Sequence, residues 1–168
     1  MKNICRKSSK AWGWTINAAV ANVRDFIYLN YVENSSITDP LFREAVEAIN
    51  AGNLPALRNL LEANPPLVSR RLDYPTEGYF KNPFLLWFIA NNPIRQEETP
   101  KNIYEITKLL IQFVRRHSSD NFQEQIDYTL GWAQYLQTED TLFISNFHLV
   151  HQTVSKAYNC AVGNKPGW

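Results

Sequence analysis

Apolar residues recur along the chain at helical spacing, and the polar breaks between them are sharp. Ile16, Ala19, Val23, Ile27 and Tyr31 return every three or four residues, which predicts a helix over 15–32 with one apolar face. Asn34 to Thr38 breaks that pattern. Thr38-Asp39-Pro40 then reads as a helix start, with Asp39 able to cap free N–H groups and Pro40 suited to the first helical position. The next helix is predicted over about Leu41 to Ala51, with Phe42, Ala45, Ala48 and Ile49 as its buried stripe. Gly52-Asn53 stops it, since glycine tolerates the left-handed conformation at which many helices end. A further helix over Leu54 to Ala63 carries Leu54, Leu57, Leu60 and Leu61, and Asn64-Pro65-Pro66 closes it. Two helices joined by so short a turn must lie antiparallel.

Residues 69–83 follow no helical period. Arg70, Arg71, Asp73, Pro75, Gly78 and Pro83 alternate with Tyr74, Tyr79 and Phe80, so the stretch is expected to form an exposed excursion with turn chemistry at Pro75-Thr76-Glu77-Gly78. The apolar run from Phe84 to Asn91 fits either a buried strand or a helix by itself. The pattern downstream favours a helix. Ile103, Ile106, Leu109 and Leu110 repeat the spacing of Leu54, Leu57, Leu60 and Leu61. The helix they predict ends near Arg115-Arg116-His117, where basic side chains suit the negative end of the helix dipole. The unit of helix, turn, helix and excursion therefore occurs twice. One such unit cannot bury its own apolar face, so units must stack.

The segment Ala48-Ile49-Asn50-Ala51-Gly52-Asn53-Leu54, followed by Leu57, Leu60, Leu61, Glu62 and Ala63, resembles the ankyrin-repeat consensus. Pro83 to Ala90 resembles the opening of a next repeat, with Trp87 where that family usually has histidine, and Thr129-Leu130-Gly131-Trp132-Ala133 looks like a third opening. The run from Asp39 to Ala133 is similar to short bacterial ankyrin-like proteins. The resemblance implies an all-α, ankyrin-like helical solenoid of two to three irregular repeats. The connection from Asn92 to Asn102 is longer than the family's, and the third repeat has no clear second helix, although residues 138–158 could supply one through Leu142, Phe143, Phe147, Val150 and Val154. The expected organisation is a flexible segment over 1–14, an N-terminal capping helix and linker over 15–38, a repeat domain over 39–137 and a divergent C-terminal helix and tail over 138–168.

Composition narrows the function. The chain has 168 residues, 45% of them apolar, which suits one globular domain. A net charge of +1 makes no global case for nucleic acid or an anionic membrane. Charge is uneven: residues 1–38 hold five basic and two acidic side chains, and residues 117–168 hold two basic and five acidic. No apolar run reaches the roughly 20 residues a membrane helix needs. The stretch Ala11 to Ala21 is interrupted by Trp12, Gly13, Trp14, Thr15 and Asn17, which is poor for a secretion signal. The expected location is the cytoplasm, with Cys5 and Cys160 as free thiols.

No motif for nucleophilic, phosphate-binding or dinucleotide chemistry occurs. Glu97-Glu98 and Glu139-Asp140 sit in polar stretches as solvated pairs, and Arg70-Arg71 and Arg115-Arg116 flank helix ends. His148 and His151 share one helical face and, with Cys160, offer an alternative reading as a metal-binding or hydrolytic site, without a supporting ligand motif. The leading expectation is a monomeric, cofactor-free protein-interaction module with no catalytic activity. In the ankyrin family the excursion projects as a finger next to the inner helices, and partners dock there. Tyr74, Tyr79, Phe80 and Arg95 are therefore the expected contact residues on the excursion and the adjoining inner helices, the alternative being that Tyr79 and Phe80 fold back onto the stack.

Overall fold

The computed structural model describes residues 36–74, 80–95, 99–137 and 144–163. Among them the chain is all-α, with six α-helices and no strand. These are α1 (Pro40–Asn50), α2 (Leu54–Ala63), α3 (Trp87–Arg95), α4 (Ile103–His117), α5 (Phe122–Gln137) and α6 (Ile144–Val162). The helix expected over 15–32 lies outside the described residues.

Local chemistry sets the first hairpin. The Asp39 carboxylate accepts the Phe42 N–H at 3.0 Å, and Pro40 opens the helix. Gly52 takes a φ of 68°, in the left-handed region where a side chain would be strained. Asn53 then caps α2 by accepting the Ala56 N–H at 3.1 Å. A 3-10 turn, Pro65–Val68, follows α2 and packs on α4.

The predicted apolar stripes face inward. Leu57, Leu60 and Leu61 of α2 are buried, and so are the matching Ile106, Leu109 and Leu110 of α4. Helix contacts run in two rows: α1 against α3 and α3 against α5, then α2 against α4 and α4 against α6. Helices α1 and α2 pack on each other, as do α5 and α6. Helix α6 thus pairs with α5 where a further second helix is expected, and it buries Val150, Val154 and Ala157.

Three expectations are corrected by the structure. The helix expected from Phe84 begins at Trp87, because the chain first turns tightly: Trp87, Phe88 and Ile89 donate to the carbonyls of Phe84, Leu85 and Leu86. Thr129 to Ala133 opens no unit. It lies in the middle of α5, which starts seven residues earlier, after a 3-10 turn at Ser119–Asn121. The ends of the excursion are exposed only in part, with Arg70, Arg71, Asp73 and Lys81 outward. The Leu72 N–H donates to the Pro83 carbonyl at 2.9 Å and closes its base, and Leu72, Tyr74 and Phe80 are buried.

Candidate interaction surface

The structure withdraws two of the expected contact residues from solvent. Phe80 is fully buried and meets Phe88 edge-on, with centroids 5.0 Å apart. Tyr74 is 8% exposed, and its hydroxyl shares a 2.5 Å hydrogen bond with Ser36 Oγ. Their apolar area is already committed to the core, so neither offers a partner the area an anchor must supply. Tyr79 lies outside the described residues. Arg95 ends α3, with its side chain outside the described set.

The two neighbouring arginines have specific positions instead. Arg70 pairs with Asp39 at 2.5 Å and lies over the Phe42 ring. Its guanidinium, by hydrogen bonding to the Asp39 carboxylate, holds that group below the ordinary aspartate range. Beside this pair an open groove of about 360 Å³ runs between Pro40, Leu41, Pro66 and Leu67.

Arg71 reaches the other way, into an aromatic cradle. Its guanidinium carbon lies 4.2 Å from the Phe84 ring centroid and 5.1 Å from that of Trp87. One nitrogen donates to the Asn82 carbonyl at 3.1 Å, and another donates to Glu124 at the start of α5. Asn82 has a φ of 47°, a left-handed conformation that asparagine tolerates better than most residues with a side chain. Phe84 meets Trp87 edge-on, and Trp87 stacks flat on Tyr128 of α5, with centroids 3.5 Å apart. The buried Gln125 reinforces the same junction by donating to the Val68 carbonyl and to Ser118 Oγ, each at 3.1 Å.

Next to this cradle, α5 presents an outward face. Glu124, Asp127, Tyr128 and Gly131 follow helical spacing, and all but the half-buried Tyr128 are exposed. Tyr128 is braced on one side by the flat stack on Trp87. Gly131 is unusual: a mid-helix glycine costs about 1 kcal/mol relative to alanine. A Cβ there would meet nothing within 4 Å, so no packing among the described residues calls for glycine.

From the sequence, Arg71 reads as helix-end charge and Thr129 to Ala133 as a repeat opening. The cradle escapes that reading because Arg71 and Glu124 are 53 residues apart. The one local signal is Gly131, inside an otherwise helix-favouring stretch.

Among the described residues no three His, Cys, Asp or Glu side chains come together to hold a metal ion. His151 is half-buried, Cys160 is an exposed free thiol, and the His148 side chain lies outside the described set. No helix among the described residues is long and apolar enough to cross a membrane. Comparison with protein-family models, curated proteins and solved structures yields no match.

Proposed function

We propose that this chain is a non-catalytic protein-interaction module: an ankyrin-like helical solenoid of two to three irregular repeats that works as a monomer in the cytoplasm. Its contact surface is the outward face of α5 beside the Arg71 cradle. The two rows of helix contacts support the stacked reading, because successive helices within each row pack on one another. The observation that carries the functional reading is Gly131 beside the braced Tyr128. A helix retains a residue that weakens it when something outside the helix must approach closely, and none of the described residues does so.

The test compares capture of cellular proteins by the wild type, Tyr128→Ala and Gly131→Gln. Glutamine at 131 favours the helix, and its Cβ has open space among the described residues, so the fold is kept while the surface is blocked. A protein recovered by the wild type and absent with Gly131→Gln supports the reading. Equal recovery by all three places the binding surface elsewhere and removes it.

A further inference from the structure

The cradle around Arg71 carries the complete chemistry of guanidinium recognition. It has a carboxylate (Glu124), a main-chain acceptor (Asn82) and two aromatic faces (Phe84 and Trp87). Planar guanidinium suits this set better than ammonium, since it stacks and donates from several nitrogens at once. Yet the present occupant is loosely committed. Arg71 belongs to a segment without regular structure, its side chain is 38% exposed, and that of Glu124 is 50% exposed. An ion pair so open to water contributes little to stability and exchanges readily. The cradle also holds a group that Arg71 leaves unused. The indole N–H of Trp87 is buried without a hydrogen-bond partner, in a residue only 4% exposed. Leaving such a donor unpaired is costly, and an acceptor brought to the cradle would relieve that cost.

We infer that this cradle is an arginine-binding site for an extended segment of the partner, filled here by Arg71 as an intramolecular competitor. The partner's guanidinium takes the place of Arg71 between Glu124 and the rings. A main-chain carbonyl of the partner accepts the Trp87 indole N–H. Asp127, one turn beyond Glu124 on the same face, extends the attraction to a cationic segment. The inference rests on the interaction-module reading and adds the chemistry of the partner and a device that restrains its binding.

The experiment empties the site with Arg71→Ala and titrates the folded full chain with N-acetylarginine methylamide, following the Trp87 indole N–H resonance, assigned with Trp87→Phe. The variant is expected to bind at millimolar concentration and to shift that resonance. N-acetyllysine methylamide binds about tenfold more weakly or worse, and Glu124→Gln added to Arg71→Ala weakens the arginine probe by about the same factor. The wild type binds the arginine probe about tenfold more weakly than Arg71→Ala, because Arg71 competes from within the chain. No shift in Arg71→Ala, no preference for arginine over lysine, or equal affinity of wild type and variant overturns the inference. Should Arg71→Ala fail to fold, Arg71→Gln, which keeps a stem over Phe84, takes the same titration. A cellular partner that binds the wild type but not Gly131→Gln, alongside an Arg71→Ala protein that binds no arginine, removes this inference and leaves the interaction module standing.

Discussion

The side-chain amide of Asn102 donates to the main-chain carbonyl of Gly52 at 2.7 Å. This bond ties the turn between α1 and α2 to the entry of α4, fifty residues on. A Cβ at position 52 would lie 2.7 Å from Asn102 Oδ1 and 3.3 Å from the Pro100 side chain. Gly52→Ala therefore combines a left-handed backbone penalty with a collision, and is expected to cost about 1–3 kcal/mol. Asn102→Ala leaves the Gly52 carbonyl without this donor and is expected to cost about 1 kcal/mol. Urea denaturation of both variants checks the order; an Asn102→Ala loss larger than that of Gly52→Ala contradicts it.

The Asp39–Arg70 pair makes stability depend on pH with a defined sign. Arg70 depresses the folded pKa of Asp39 below its ordinary 3.8. The stabilisation is fully present above that unfolded value and fades as pH falls through the lower folded value. Asparagine is as good an N-cap as aspartate, so Asp39→Asn removes the charge while keeping the cap on α1. The wild type should exceed Asp39→Asn by under about 1 kcal/mol at pH 7, because both partners are partly exposed. The difference should shrink by about pH 3, which paired denaturation curves at the two pH values measure.

Asn91 on α3 is fully buried, and neither end of its amide has a hydrogen-bond partner. Leucine is close in size and carries no polar group. Asn91→Leu is expected to raise stability by about 1–3 kcal/mol, the cost of leaving such a group unsatisfied. A lower melting temperature for the variant would contradict this account of the site.

Leu61 and Leu110 occupy matching positions in α2 and α4, and both are fully buried. Each leucine-to-alanine change should cost about 2–5 kcal/mol through lost transfer energy and a residual cavity. Because α2 and α4 pack on each other, each loss should be felt across the stack as one cooperative transition. Calorimetry would show two separate transitions if the hairpins melted independently.

The helices and their limits were legible in the sequence because their causes are local. The shared spacing of Leu54, Leu57, Leu60 and Leu61 with Ile103, Ile106, Leu109 and Leu110 is a property of a few turns of chain. Asp39, Asn53 and Gly52 act within three or four residues of themselves. The surface was not legible, because burial and pairing between distant segments have no local signature. Phe80 and Tyr74 read as exposed aromatics in a polar stretch. Packing put one against Phe88 and the other against Ser36, and left Tyr128 half-buried on its Trp87 brace. Arg71 is an ordinary helix-end cation until the packed helices bring Phe84, Trp87 and Glu124 around it. Periodicity and capping, both written into short stretches of chain, were enough to define which segments are helical and which of their faces are apolar. Which side chains meet was decided by the tertiary structure alone, because it depends on how one hairpin lies against the next.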